Sequence, residues 1–219
     1  MFLFLSHKRG VSSCQLSRDL GITQKTAWNM LSKIREYMGV FNDCSLSGEV
    51  EIDETFIGGK NKNRHKDKKV EKCQGRSFKD KVPVFGMLQR NGKIVAKVVS
   101  NTKAKTLEPY ITEHVQENSI IYTDGWDYGG IRDRYIQMSV DHGIGFYGTS
   151  FITEDGEFMQ ISTNKIENAW SHLKRTIFGT YYQVSRKHMQ KYIDKFTFRF
   201  NTRDFTDNQR FDLYLHHIA

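Results

Sequence analysis

Two prolines and three cysteines in 219 residues set the first limits. Cys14, Cys44 and Cys73 are odd in number and widely spaced, so neither a disulfide framework nor a CxxC zinc site is supported, and a reducing, intracellular setting is expected. No run of about 18 apolar residues exists, so no membrane span and no membrane partner are expected. The apolar opening Met1-Phe2-Leu3-Phe4-Leu5 is too short for a signal segment, and no basic stretch precedes it. It reads as a helix entered partway along, with an N-terminal piece expected upstream. There is no GxSxG elbow and no P-loop, so serine-hydrolase and ATPase chemistry have no foothold. Repeats and low-complexity tracts are absent as well.

What is present suffices for a real core: 38% of residues are hydrophobic and 13% aromatic, enough for one main domain and a small accessory one. The net charge of +8 is concentrated. Between Lys60 and Lys81 there are ten Lys or Arg against Asp67, Glu71 and Asp80, so +7 of the +8 lies there. This segment, which carries Lys60, Lys62 and Arg64, leaves the run Glu49–Ile57 through Gly58-Gly59. A charge run can be a solvated loop. Next to an acidic strand end it favours contact with a phosphate backbone.

Residues 12–38 have the pattern of a helix-turn-helix. Ser12-Ser13 can cap a first helix over 14–20, Gly21 supplies the turn, and Thr23 caps a second helix over 24–35. Leu16, Leu20, Ala27, Leu31 and Ile34 have the spacing of its small core. Gln24, Lys25, Thr26 and Asn29 fall where a recognition helix meets base edges. The same pattern also suits an ordinary packing hairpin.

After a connector over 39–48, an α/β region is predicted. Strands are expected at 49–57, 82–90, 93–100, 119–123 and 136–140, with Asn91-Gly92 as a hairpin turn. Helices are expected at 103–118, 128–134, 163–177 and 185–201, and a Gly-rich loop follows the last strand. Three acids stand where these elements begin or end. Asp53 and Asp124 each close a strand, and Glu167 opens the helix after Thr163. In that helix Ile166, Trp170, Leu173 and Ile177 form a buried stripe, and Glu167 lies about 100° from Ile166 at its border, together with Ser171 and Lys174. Taken singly, each acid is more readily a capping or solvent-facing residue.

As a set, their placement is that of an RNase H-like mixed sheet flanked by helices, preceded here by the small helix-turn-helix segment. There a first strand and a later parallel strand lie side by side. Hard carboxylate oxygens suit Mg2+ or Mn2+. Two such ions about 3.5–4 Å apart activate an attacking water or 3′-hydroxyl and stabilise the leaving oxygen, with no protein nucleophile.

The segments Gly48–Lys60, Tyr122–Trp126 and Thr163–Arg175 resemble the DDE transposases of bacterial insertion sequences related to eukaryotic Merlin elements, the ISXO-like group. Gly179–Tyr182, Tyr192–Asn201 and the helix-turn-helix at Leu16–Arg35 share the resemblance, which covers nearly the whole chain. It implies a helix-turn-helix segment at 1–40 and a catalytic domain at 48–205. It also implies Mg2+-dependent cleavage at insertion-sequence ends and strand transfer into target DNA. The triad carries over to Asp53, Asp124 and Glu167 as catalytic and metal-holding residues, with Asn164 a competing third ligand because some relatives use Asn there. DNA is the expected partner, with a homodimer or larger assembly on paired ends and a cytoplasmic, nucleoid-associated location in a bacterium.

The chain departs from that family in two ways: it lacks the Cys-rich ribbon, and it has Ser162-Thr163-Asn164 where the family often has His-Thr-Asn. Lys174 and Arg175 are candidates for holding a DNA phosphate, Trp126 for stacking, and His142 for the cleft edge. Tyr192, Phe196 and Phe200 read as core. The rival reading is a catalytically inactive, truncated remnant that only binds DNA.

Overall fold

A computed structural model describes residues 1–59, 61, 65–71, 77–125, 127–140, 149–152 and 158–218. The chain divides into two compact units, residues 44–171 and residues 1–43 with 172–219.

The first of these units is built on a mixed sheet. Its strands are β1 (Glu49–Ile57), β2 (Val82–Gln89), β3 (Ile94–Val98), β4 (Ile120–Asp124) and β5 (Ile136–Val140). Their spatial order is β3-β2-β1-β4-β5. β2 pairs antiparallel with both β1 and β3, while β4 pairs parallel with both β1 and β5. Asn91 takes φ +59° in the β2–β3 turn, a conformation Asn tolerates better than most residues. Helix α4 (Ala104–His114) crosses between β3 and β4, as a parallel connection requires.

Alternation sorts the side chains of β1 onto two faces. Val50 and Ile52 join Phe85, Met87, Leu107, Ile111 and Ile121 in the apolar core on the α4 side. Glu49, Glu51 and Asp53 point the other way, toward the start of α5 (Asn164–Thr176). This α/β sheet with flanking helices is RNase H-like. A further hairpin, β6 (Thr149–Ile152) with β7 (Phe158–Ile161), precedes α5 where a loop was expected.

The other unit is helical: α1 (Phe2–Ser6), α2 (Ser13–Leu20), α3 (Gln24–Tyr37), α6 (Met189–Asn201) and α7 (Asp207–His216). Ser12 and Thr23 cap α2 and α3 through their side chains, and Gly21 turns between them at φ +63°. Leu16, Ala27, Leu31 and Ile34 are buried with Phe198 and Tyr214. Leu20 is not part of this core; it is 47% exposed. α2 ends at Leu20 as expected, but this last residue faces outward, while Ile22 beyond the turn packs against the core. α7 lies beyond the last helix expected; a capping box of Thr206 and Gln209 starts it.

Candidate active site

β1 and β4 pair in parallel through Ile52 and Thr123. The next residue on each strand is an aspartate, Asp53 and Asp124. Gly125, at φ +59°, turns the chain immediately after Asp124. Asp124 thus closes β4, whereas Asp53, expected to end its strand, lies in the middle of β1, where the pairing with β4 runs out while that with β2 continues to Ile57. Asp124 falls on the face of Tyr122 by alternation, and Tyr122 donates from its hydroxyl to Glu49 at 2.6 Å. Asp53 and Asp124 are half-buried, and Glu167 is exposed.

Glu167 is held in place through the start of α5. Glu51 is fully buried, and its Oε2 accepts the backbone N–H groups of Lys165 (2.9 Å) and Ile166 (3.0 Å). A carboxylate from β1 therefore satisfies two of the orphan donors at the helix start and complements its dipole. Arg90, the residue just after β2, balances the charge. Its Nε donates to Glu51 Oε1 at 2.9 Å, and its guanidinium lies over the Tyr122 ring, 4.0 Å from the centroid. The same guanidinium donates to Glu49 and to the carbonyls of Gln160 and Ser162. The segment entering α5 is thereby tied to the strand that carries Asp53.

One turn further along α5, Trp170 completes the link. Its Nε1–H donates to Asp53 Oδ2 at 3.1 Å. The opposite partner of Asp53 on β2 is Gly86, and a Cβ there would overlap the six-membered ring of Trp170. Glycine at 86 lets the indole lie on the sheet at the height of Asp53. Glu167 stands at i−3 from Trp170, a neighbouring position on the helix surface.

The electrostatics follow from this packing. The Asp53 carboxyl is pushed up to about 7, chiefly by burial, then by the charge of Glu54, with Glu167 and Asp124 adding to it. Glu54 points to the opposite face, where its Oε1 accepts from the Tyr128 hydroxyl at 3.1 Å. Burial and the Glu54 charge raise the Tyr128 phenol. Among the described residues, no three His, Cys, Asp or Glu side chains form a ready metal-ligating cluster. Like charges drawn to ligand distance repel one another unless a cation is shared. The donor set, carboxylates in a half-buried and negatively charged setting, fits a hard divalent ion.

Asn164 is the first residue of α5 and is exposed. Lys174 and Arg175 lie in its last turn, Lys174 half-buried and Arg175 exposed. Gln24, Lys25, Thr26 and Asn29 are exposed on the first two turns of α3, where Gln24 Nε2 donates to Ser13 Oγ at 2.8 Å. Lys60, Lys62, Arg64, Cys73, Trp126 and His142 lie outside the described residues. Reading the sequence missed Arg90, Gly86 and the second task of Trp170. For Glu51 the signal was its place on the Asp53 face; for Gly86 and Arg90 there was none, because their partners are distant in the chain.

The RNase H-like sheet thus carries a parallel strand pairing that runs out at two acids, with a third acid on a helix anchored to β1. Residues 45–201 match the ISXO2-like transposase domain, and the chain belongs to that family. An uncharacterized transposase-like protein of Haemophilus influenzae is similar to it, 27% identical over 114 residues, which are 51% of this chain and 84% of that protein.

Proposed function

We propose that the chain is a DDE-type DNA transposase that cleaves insertion-sequence ends and joins them to target DNA. The observation that carries this reading is the parallel pairing of β1 and β4, which runs out at Asp53 and Asp124 beside the anchored start of α5. Asp53, Asp124 and Glu167 are the catalytic acids and would hold Mg2+ or Mn2+. Bound there, the ions supply charge neutralisation for a phosphodiester under attack and a water of lowered pKa.

The chain's own residues prepare the site. Trp170 fixes the rotamer of Asp53 through Oδ2, and Glu51 with Arg90 sets where α5, and so Glu167, begins. Asp53 holds a proton near neutrality and releases it when a cation loads. In the first step water oxygen bonds to phosphorus and the bond to the 3′-oxygen breaks, freeing a 3′-hydroxyl at the element end. In the second, that hydroxyl attacks a target phosphate and displaces the target's own 3′-oxygen. Glu167 is preferred to Asn164 as third ligand because it brings a charge that acts on Asp53.

Duplex contact falls to Gln24, Lys25, Thr26 and Asn29 on α3, and to Lys60, Lys62, Arg64, Lys174 and Arg175 as phosphate contacts. The functional division is a DNA-binding segment over 1–40 and a catalytic domain over 48–205. Two chains act together on paired ends. The test is a strand-transfer assay on DNA flanking the gene, with Mg2+ present. Asp53→Asn should abolish joining and leave DNA binding intact; joining by that variant would overturn the assignment.

A further inference from the structure

The helical unit contains a cavity of about 340 Å³ that the catalytic acids do not explain. Its wall includes Ser12, Ser13 and Cys14 at the start of α2, together with Arg35 from α3. None of its described lining residues is acidic. Arg35 is only 2% exposed, and its Nε is buried without a hydrogen-bond partner among the described residues. Three aromatic rings surround the guanidinium: Phe4, Tyr181 and Tyr192, the last 4.2 Å from its carbon to the ring centroid. Lys195 lies next to it, also buried, donating to the carbonyl of Arg9 and to the Tyr181 hydroxyl. Burial, then the charges of Arg35 and Arg199, pull the Lys195 ammonium well below its ordinary range. Gly10, at φ +80°, leaves the room that this ammonium fills.

Among the described residues Arg35 has no carboxylate partner, and a buried guanidinium is costly unless an anion joins it. The first turn of α2 adds N–H groups that a helix leaves without intrahelical partners, together with the positive end of its dipole. The rim is aromatic. Tyr182 is 80% exposed and sits at φ +59°, directly after a π-helical turn over Ile177–Tyr181. Such strain in a non-glycine residue concentrates at ligand clamps. Trp28 also lines the cavity.

We propose that this cavity binds one nucleotide of single-stranded DNA, its phosphate between Arg35 and the start of α2 and its base against Tyr182 and Trp28. The inference rests on DNA being the substrate, as proposed above. Its volume suits a small ligand and excludes a duplex, so the nucleotide must be unpaired or extruded. Aromatic stacking accepts any base, so the pocket grips a strand without reading its sequence.

Cys14 is exposed and lines the same cavity, which makes it the reporter. The experiment follows alkylation of Cys14 by peptide mass spectrometry in the full chain. The probes are inorganic phosphate, deoxyadenosine 5′-monophosphate, a single-stranded octanucleotide and a blunt duplex. The octanucleotide should slow Cys14 alkylation severalfold, and phosphate should do so only at far higher concentration. Ser13→Asp should abolish this protection and leave thermal stability unchanged, since an acid in a first helical turn suits the dipole. Full-strength DNA binding with Cys14 alkylated at the unliganded rate would overturn the pocket alone. So would octanucleotide protection that survives in Ser13→Asp. Equal protection by phosphate and octanucleotide would overturn the nucleotide assignment. Failure to bind DNA in any form would overturn both this inference and the function it rests on.

Discussion

The indole Nε1–H of Trp170 donates to Asp53 Oδ2 at 3.1 Å, and the ring lies over Gly86, the residue opposite Asp53 on β2. One helical side chain thereby sets both the spacing of α5 from the sheet and the orientation of the central acid. Trp170→Phe keeps most of the packing and removes the donor. It should cost about 1–3 kcal/mol in urea unfolding and raise the Asp53 pKa further, since the lost bond favoured the carboxylate. Stability equal to that of the unsubstituted chain would show that the bond does not form.

Gly86→Ala tests the same contact from the sheet side. A methyl group at 86 meets the Trp170 ring, which cannot yield without moving α5. The expected cost is about 1–3 kcal/mol from overpacking. Gly129→Ala, where an added Cβ has no neighbour within 4 Å, is the control and should unfold close to the unsubstituted chain.

Asp53 makes stability depend on pH with a definite sign. Its carboxyl titrates near 7 in the folded chain against a reference of 3.8 unfolded. The folded state binds the extra proton between these values, so the contribution of Asp53 is fully present below about 4 and is lost as pH rises through about 7. Asp53→Asn cannot ionise. Its stability relative to the unsubstituted chain should rise from pH 4 to pH 8, by on the order of 2–4 kcal/mol. A pH-independent difference, measured by denaturant midpoints across that range, would contradict the burial of this charge.

The buried pair of Glu51 and Arg90 joins β1, β2 and the start of α5. Glu51→Ala leaves the guanidinium with weaker partners and the first turn of α5 without its acceptor. A loss of about 3–5 kcal/mol is expected. Asp124→Ala, removing a half-buried strand-end acid, should cost less. The reverse order in thermal or denaturant unfolding would contradict the anchoring role of Glu51.

Sequence reading reached the parts of the fold whose signals are local. The alternation of Glu49–Ile57, the Asn91-Gly92 turn and the stripe of Ile166, Trp170, Leu173 and Ile177 each declare their element within a few residues, and each is realised. The short hairpin of β6 and β7 carries no such stripe and was missed. The capping box at Thr206 was available as a local signal and went unread. The end of the helix at Leu20 was legible, but its burial was not, because spacing does not say how far along a helix the core extends. Of the candidate site, Asp124 at a strand end and Glu167 at a helix start were legible, while Asp53 was placed at the end of a strand that runs on to Ile57. Glu51 was visible only as a neighbour on the Asp53 face, because the reason for burying it, Arg90, lies 39 residues away in the turn after β2. Gly86 likewise acquires its meaning from a tryptophan 84 residues later.

The most direct test of the proposed metal site is a titration with Mn2+, followed by electron paramagnetic resonance, on the full chain and on Asp53→Asn, Asp124→Asn, Glu167→Gln and Asn164→Ala. The unsubstituted chain should bind the ion more tightly as pH rises through about 7, where Asp53 gives up its proton. Each of the three acid substitutions should weaken binding by about tenfold or more, as loss of a ligand does, while Asn164→Ala binds as before. Binding that is indifferent to Asp53 and Asp124 would contradict the site.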